Sequence, residues 1–185
     1  AGEVAVEMLK GAMDVAAPGV YEYEVELASK EAGTRHAAKL MEEHYKDWQV
    51  FNYPGIGNKQ VMASGPDITM CHHRSSMNKL IEGEPLFICH CGTAEFKNFF
   101  VGFDRILFVG DMNDKVAEML NVAEEAQKAA LSQIKPGAMA EDVFKAYAEV
   151  IEENGYPIPF RAGRSIGFSY NAYPALEKGS KAVLE

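Results

Sequence analysis

Apolar residues recur every three to four positions near the start of the chain, as they do on the buried face of an amphipathic helix. In the first such segment these residues are Val4, Met8, Ala12 and Val15. We expect this helix to end at Pro18-Gly19, because both residues interrupt helices. A second helix is predicted from Tyr21 to about Tyr45. Its inward-facing residues are expected to be Val25, Ala28, Ala32 and Leu40.

Two further helices are predicted in the second half of the chain, over residues 114–134 and 140–154. Either Asn113 or Asp114 can cap the first of them, because both side chains accept hydrogen bonds from free backbone N–H groups. Gly155 follows the second, at the position where the end of a helix favours glycine. The chain is therefore expected to hold two pairs of consecutive helices.

Short apolar runs between the helix pairs are typical of β-strands. These runs are QVMASG at 60–65, PLFICHC at 85–91 and FFVGFDRILFVG at 99–110. The last run predicts either two strands or one strand that bends near Gly102. Residues 50–59 are expected to form a loop, and the run PIPFRAGRSIGFSY that begins at Pro157 a strand and a turn. This order of elements predicts an α+β fold without a linker.

One short pattern occurs twice in the chain. Residues 18–25, PGVYEYEV, and residues 136–143, PGAMAEDV, share Pro-Gly, four variable residues, an acidic residue and a valine. Each copy follows one predicted amphipathic helix and opens another. Pro-Gly before a helix is common, but the shared helical context favours a duplicated half of the fold.

Composition and charge narrow the class of protein. The 185 residues carry a formal net charge of −9 without a basic patch, which argues against binding to nucleic acid. No apolar run reaches the ~18–20 residues that cross a membrane, and no signal peptide is visible. Three cysteines, two of them one residue apart, fit a reducing compartment better than a disulfide framework. We therefore expect a cytoplasmic protein with no nucleic-acid or membrane partner.

Cysteine and histidine cluster in two motifs, MCHH at 70–73 and ICHCG at 88–92. Zinc sites usually take such ligands at wider spacings, because the chain must turn around a tetrahedron. Within a strand, Cys89 and Cys91 would face one side and His90 the other. The adjacent histidines of the first motif diverge in the same way. We interpret the cysteines as packing residues and do not predict a zinc site.

Several motifs follow one another in an informative order: ASGPDITMCHH, IEGEPLFICHCG, FDRILFVG, IKPGAMAEDV, ENGY and AGRSIGFSY. In this order they resemble the creatinase/aminopeptidase P family (peptidase family M24), which includes prolidase and methionine aminopeptidase. The resemblance implies the pita-bread fold, in which helices cover a curved antiparallel sheet of two pseudo-symmetric halves. It also implies that residues 1–185 are part of the C-terminal catalytic domain, with the N-terminal domain and the end of the catalytic domain outside this chain. We expect a homodimer.

The metallopeptidases of this family bind two metal ions through two aspartates, a histidine and two glutamates. The resemblance places Cys89 at the first aspartate, the acid-free segment 99–102 at the second, and Arg164 at the metal-binding histidine. Asn171 stands at the position of a downstream histidine, and both glutamate positions would lie beyond Glu185. Because an arginine guanidinium repels a divalent ion, we expect no metal and no other cofactor.

The surviving pattern resembles the metal-free branch of the family, of which creatinase is the named example. The resemblance places its catalytic histidine at His72, as acid or base, and its guanidinium-binding acid at Asp104, directly before Arg105. Arg164 suits a substrate carboxylate, and Phe100 completes the predicted substrate-binding residues. Two plainer readings stay open: Asp104 and Arg105 could form a structural ion pair, and Arg164 could stabilise a bend between glycines.

These residues favour a metal-independent hydrolase that cleaves a C–N bond in a small zwitterionic amidino or guanidino compound. A metal-dependent Xaa-Pro dipeptidase or aminopeptidase, with Mn, Co or Zn, is the first alternative. The second is a catalytically inactive binding protein, because a fold alone does not fix function. In each enzymatic case the expected partner is a small-molecule or dipeptide substrate.

Overall fold

The computed structural model describes residues 1–44, 56, 61–70, 72–90, 94–102, 104–169 and 171–185. In these residues helices combine with antiparallel strands, which confirms the predicted α+β class. The chain divides into two units: Ala1–Met112 with Gly167–Tyr170, and Asn113–Ile166 with Asn171–Glu185. In the described part of the chain, no helix is both long and apolar enough to cross a bilayer.

The first unit opens with the two predicted helices, α1 (Gly2–Val15) and α2 (Glu22–His44). Three of the four predicted inward residues of α1 are fully buried: Val4, Met8 and Ala12. The prediction is wrong for Val15, which is 37% exposed. It is the last residue of α1, and the chain leaves the helical path directly after it.

The buried face of α2 is less apolar than predicted. Its buried residues are Glu22, Val25, Ser29, Gly33 and Ala37. The prediction holds for Val25, whereas Ala28, Ala32 and Leu40 are only half-buried. The spacing of apolar residues did not predict this face, because three of its five positions are not apolar side chains. Glu22 is charged, Ser29 is polar and Gly33 has no side chain.

The two helices pack closely at Gly11. A Cβ atom added there would lie 2.6 Å from the Cβ of Ala32 and 2.8 Å from the backbone oxygen of Ala28. A Cβ atom at Gly33 would overlap the side chain of Met8. Interiors are packed at crystal-like density, so neither position has room for another atom without movement of its neighbours.

The first unit also contains the following strands: β1 Val61–Ser64, β2 Pro85–Cys89, β3 Ala94–Phe96, β4 Phe99–Val101 and β5 Asp104–Phe108. Antiparallel pairing gives one sheet in the order β1-β2-β5, while β3 and β4 form a separate hairpin. The run at 99–110 is thus two strands, as one reading predicted, but they belong to different sheets. The predicted loop at 50–59 lies outside the described residues except for Ile56.

A single apolar cluster joins the sheet to both helices. Ala12 of α1 and Val25 of α2 pack with Met62 of β1 and with Leu86 and Ile88 of β2, and all five are fully buried. Burial of each larger side chain in such a cluster contributes about 1.5–3 kcal/mol. The helix pair is therefore fixed to one face of the sheet.

The second unit contains α3 (Asp114–Gln133), α4 (Ala140–Glu153), β6 (Arg161–Ser165) and β7 (Ala172–Glu177). Both helices lie where they were predicted. The side chain of Asn113 caps α3 by accepting a hydrogen bond from the Val116 N–H at 3.0 Å. Of the two antiparallel strands, β6 lies in the predicted strand-and-turn segment, whereas the sequence analysis did not predict β7.

The first Pro-Gly pattern forms a turn that is tied to a neighbouring segment. Gly19, with φ +86°, donates its N–H to the Leu80 carbonyl at 2.8 Å. The Leu80 N–H donates to the Val20 carbonyl at 2.8 Å, and the Glu22 N–H donates to the Asn78 carbonyl at 3.0 Å. This ladder fixes the place where α2 begins.

The second Pro-Gly pattern forms the same turn in the second unit. Gly137, with φ +87°, donates to the Leu184 carbonyl, Leu184 donates to Ala138, and Ala140 donates to Ala182, each at 2.8 Å. Each donor and acceptor matches one in the first turn. The repeated sequence pattern thus marks a repeated local structure, as the predicted duplication requires.

Candidate functional site

The ends of β2 and β5 bring three of the predicted site residues together. Cys89, the last residue of β2, is paired in register with Asp104, the first residue of β5. The Cys89 side chain is buried, whereas Asp104 and Arg105 are exposed. The Arg105 guanidinium donates a hydrogen bond to the backbone carbonyl of Asp104 at 2.7 Å. This sheet end therefore combines a buried thiol with an exposed acid and an exposed cation.

His90 follows β2 and lies fully buried behind this sheet end. Its Nε2 atom is 3.3 Å from the Ser29 hydroxyl oxygen on α2. Burial lowers the pKa of His90 to about 4, with the Asp104 carboxylate opposing this shift and the Arg105 guanidinium adding to it. His90 is therefore neutral near pH 7 and suits a packing role better than that of a charged ligand-binding group.

His72 lies beyond Ser64, the last residue of β1. A short 3-10 helix at Gly65–Thr69 follows Ser64, and His72 comes three residues after it with φ +67°. Its side chain is exposed. Residues other than glycine seldom adopt a positive φ, and such conformations concentrate at functional sites. A turn therefore follows Ser64-Gly65, and it holds His72 in an unusual backbone conformation.

A buried carboxylate, which the sequence analysis missed, anchors this turn. One oxygen of Glu22 accepts hydrogen bonds from the N–H and the hydroxyl of Ser64, both at 2.7 Å. The other oxygen accepts from the N–H and the hydroxyl of Ser76, at 2.9 and 2.8 Å, and lies 3.1 Å from Nε2 of His73. Glu22 has no solvent exposure at all.

The protonation of Glu22 follows from these contacts. Burial raises the pKa of its carboxyl group, but the hydrogen bonds from Ser64, Ser76 and His73 outweigh burial and leave the pKa lowered. The carboxylate is therefore ionised near pH 7 and acts only as an acceptor. Nε2 of His73 must then carry the proton that it shares with Glu22.

Strand register separates His72 from Asp104. Ser64 is opposite Leu86, and Leu86 is opposite Leu107. Asp104 lies three residues before Leu107, which corresponds to roughly 10 Å along a strand. Because Glu22 binds both Ser64 and His73, the loop that carries His72 is anchored at the Leu107 end of the sheet. The structure thus places Asp104 at one end of the sheet and His72 in a loop that is anchored at the other end.

The other predicted residues lie elsewhere. Phe100 is half-buried in β4, and its N–H donates to the Gly167 carbonyl at 2.6 Å. Arg164 is half-buried in β6, opposite Ala175, and Asn171 is exposed just before β7. Arg164 and Asn171 belong to the second unit.

The donor residues do not fit the dinuclear centre of the family's metallopeptidases. The position that the resemblance assigns to an aspartate of that centre carries the buried thiol of Cys89. The position that it assigns to a histidine carries the guanidinium of Arg164 in β6, which has no lone pair for a metal. Across the described ranges, no three His, Cys, Asp or Glu side chains are grouped as metal ligands. Cys71 and Cys91 lie outside those ranges.

A signal for Glu22 was present in the sequence. Glu22 and Ser29 fall on either side of Val25 at helical spacing, so an acid and a hydroxyl lie in line with an apolar residue. The Pro-Gly repeat also aligns Glu22 with Ala140, an unlike residue within a like context. Neither signal identifies the donors, which are 42 and 54 residues away in sequence at Ser64 and Ser76.

Comparison with known sequences gives one family. The sequence model described as metallopeptidase family M24 matches residues 1–185. Agropine synthesis cyclase of Rhizobium rhizogenes is 30% identical over 188 residues, which are 99% of this chain and 46% of that protein. An Xaa-Pro dipeptidase of Lactobacillus helveticus is 30% identical over 144 residues, covering 75% of this chain and 39% of the relative.

Solved structures give the same fold. An Xaa-Pro dipeptidase from Bacillus anthracis superposes with a TM-score of 0.83 at 23% identity, over 100% of this chain and 48% of its own. Methionine aminopeptidase from Rickettsia prowazekii gives 0.76 at 20% identity, over 98% of this chain and 71% of its own. The expected pita-bread fold is confirmed. The chain spans about half the length of the relatives named first, at 46% and 48%.

Proposed function

Since this chain belongs to metallopeptidase family M24, we propose that the protein is a metal-independent hydrolase of that family. Its substrate would be a small zwitterionic compound with an amidino or guanidino group, cleaved at a C–N bond. The observation that supports this proposal is the buried Cys89 thiol in register with Asp104. The family resemblance assigns Cys89 to the position of a metal-binding aspartate. A thiol and a neighbouring cation favour a substrate bound by charge pairing over a pair of hard divalent ions.

The residues suggest how such a substrate would be held. The exposed Asp104 carboxylate can accept charge-assisted hydrogen bonds from a guanidinium or amidinium group. Arg164, which belongs to the second unit, stays a separate prediction as a carboxylate-binding residue. His72 would supply the proton transfer: its imidazole takes a proton from water as the water oxygen bonds to the carbon, and it gives that proton to the nitrogen as the C–N bond breaks. His72 is exposed to solvent.

One of the relatives favours a substrate other than a dipeptide. The match that extends over 99% of this chain is to a protein named as a cyclase, whereas the named dipeptidase match covers 75%. A second candidate, a metal-dependent Xaa-Pro dipeptidase, is favoured by the dipeptidase names among the relatives and the solved structures. The two candidates differ in metal dependence and in substrate.

Elemental analysis and an activity screen of the full-length protein distinguish the two candidates. The screen uses creatine-like compounds, cyclic amidines such as ectoine, and Xaa-Pro dipeptides, each with and without a chelator. We expect no stoichiometric divalent metal, and turnover of an amidino or guanidino compound that the chelator leaves unchanged. About two metal ions per chain, together with chelator-sensitive cleavage of Xaa-Pro dipeptides, would establish the second candidate instead.

The role of His72 is tested by His72→Ala on whichever substrate is found. Loss of a proton-transfer group lowers the rate about 10²–10⁴-fold. His44→Ala is the matched control, because His44 is another exposed histidine, at the end of α2. A His72→Ala variant that turns over at the rate of the control would exclude His72 as the acid or base.

A further inference from the structure

The Glu22 carboxylate joins three segments of the first unit. Glu22 is the first residue of α2, Ser64 is the last residue of β1, and His73 with Ser76 belongs to the loop that carries His72. Five donor groups converge on its two oxygens, at distances of 2.7 to 3.1 Å. A fully buried carboxylate is unfavourable unless its hydrogen bonds are satisfied in this way.

The scaffold itself does not require an acid at this position. Ala140 begins α4 after the same Pro-Gly turn and makes the same backbone hydrogen bond as Glu22. Ala140 is also fully buried, so a methyl group suffices at the matching position of the second unit. The contacts that distinguish Glu22 are those to Ser64, His73 and Ser76, which points to the loop as the reason for the carboxylate.

That loop includes a residue in a strained conformation. At φ +67°, His72 adopts a backbone geometry that persists only where the surroundings impose it. Two contacts constrain the residue that follows. The His73 N–H donates to the Met70 carbonyl at 3.1 Å, and its ring is bound to Glu22. His72, with its positive φ, therefore lies between a 3-10 helix and the His73 side chain, which is bound to the buried Glu22 carboxylate.

We propose that Glu22 is a positioning residue for His72, acting through His73 and Ser76. The carboxylate holds the loop at residues 72–76 in the conformation that presents the His72 imidazole to the substrate. This inference rests on the proposed catalytic role of His72. It assigns His73 a place in the site as well.

The test compares three variants of the full-length protein: Glu22→Gln, His73→Leu and His73→Gln. Glutamine at position 22 keeps the size but replaces one acceptor oxygen by a donor group. At position 73, leucine removes the hydrogen bond, whereas glutamine retains an N–H donor for Glu22. Two quantities are measured: hydrogen exchange of peptides covering residues 70–76, and kcat and KM on the substrate identified in the screen.

Glu22→Gln and His73→Leu should accelerate exchange in this segment at least about tenfold, as expected for losing a hydrogen bond to a charged group. Misplacement of a catalytic group by about 1 Å costs up to ~10²-fold, so kcat should fall toward that extent with KM changed less than about threefold. His73→Gln should restore both quantities. A purely stabilising role would lower the melting temperature without this split between kcat and KM.

Two results would overturn the inference. One is wild-type exchange and kcat in both Glu22→Gln and His73→Leu. The other is a fall in kcat that His73→Gln shares in full with His73→Leu, because the retained donor would then be irrelevant. If wild-type protein turns over none of the compounds, or His72→Ala is fully active, the proposed function fails. In that case hydrogen exchange alone tests whether Glu22 anchors the loop. Unchanged exchange at residues 70–76 in Glu22→Gln and His73→Leu would overturn this role, and faster exchange would support it.

Discussion

The two units begin their second helices after nearly identical turns and then fill the same position with opposite chemistry. In both turns a glycine of positive φ is followed by three matched backbone hydrogen bonds. The first unit then buries the carboxylate of Glu22, and the second buries the methyl group of Ala140. This difference shows that the Pro-Gly pattern determines the backbone conformation of the turn. The side chain at the start of the helix can differ between the units, according to the groups that surround it.

The largest effect on stability is expected when the buried acid of the first unit is introduced at the matching position of the second unit. Ala140→Glu would place a carboxylate at a fully buried position that has evolved around a methyl group. An ion buried without partners costs several kcal/mol, which exceeds the ~0.3–1 kcal/mol gained near a helix N-terminus. Urea unfolding measures the change in free energy of unfolding.

Met139→Glu is the matched control for that exchange. Met139 directly precedes Ala140 and is 37% exposed, so its replacement should change stability by less than about 0.5 kcal/mol. If Ala140→Glu proved as stable as Met139→Glu, the second unit could accommodate a buried acid, and the contrast between the units would carry no information about Glu22.

Low pH is expected to lower stability by a smaller amount, and this loss should be confined to the first unit, which contains the Glu22 carboxylate. The folded-state pKa of Glu22 is lowered, so its contribution to stability is complete above the ordinary glutamate value of about 4.3. That contribution is lost as the pH falls through the lower, folded-state pKa. Unfolding in urea at pH 6 and at successive values below 4 should show wild type losing more stability than Glu22→Gln.

His73→Gln separates the carboxylate from the ring beside it. This variant removes the imidazole ring while Ser64 and Ser76 still bind Glu22, so most of the acid-induced loss of stability should remain. Equal acid sensitivity in wild type and Glu22→Gln would show that the pKa of Glu22 is not lowered in the folded protein.

The smallest effect should be equal in the two units. Gly19→Ala and Gly137→Ala each place a Cβ in open space, since no heavy atom lies within 4 Å of it, but at φ +86° and +87°. The left-handed conformation alone should cost about 1–2 kcal/mol per substitution. Thermal unfolding should show similar losses, with Gly2→Ala, which has open space and no positive φ, as the control. Unequal losses would mean that the two turns are alike only in their hydrogen bonds.

Much of the fold could be predicted because its signals are local. Helical spacing predicted α2, α3 and α4 to within one residue of their described bounds, with Asn113 before α3 and Gly155 after α4. Only the end of α1 differs more, because this helix ends at Val15, before the predicted Pro18-Gly19. The strand β7 was missed because its sequence, AYPALE, contains proline and alanine and lacks the branched residues typical of strands. Its place is set by pairing with β6, and that pairing is not a local property.

The candidate site was less predictable because its determinants are far apart in sequence. An acid such as Glu22 in the first turn of a helix ordinarily indicates a solvated residue that interacts with the helix dipole. Only the folded chain brings Ser64 and Ser76 to it. Likewise, adjacent histidines look equivalent in sequence, yet His72 is exposed while the His73 side chain is 12% exposed and bound to a buried carboxylate.

The close contact between α1 and α2 has a consequence for how this sequence can drift. At Gly33 an added methyl group would meet Met8, an unbranched side chain that can rotate away, so a change at one position can be absorbed by the other. At Gly11 the methyl group would meet the backbone oxygen of Ala28, and no substitution elsewhere can remove a backbone atom. In a library of random variants selected for folding, position 33 should therefore vary together with position 8, whereas position 11 should return glycine alone.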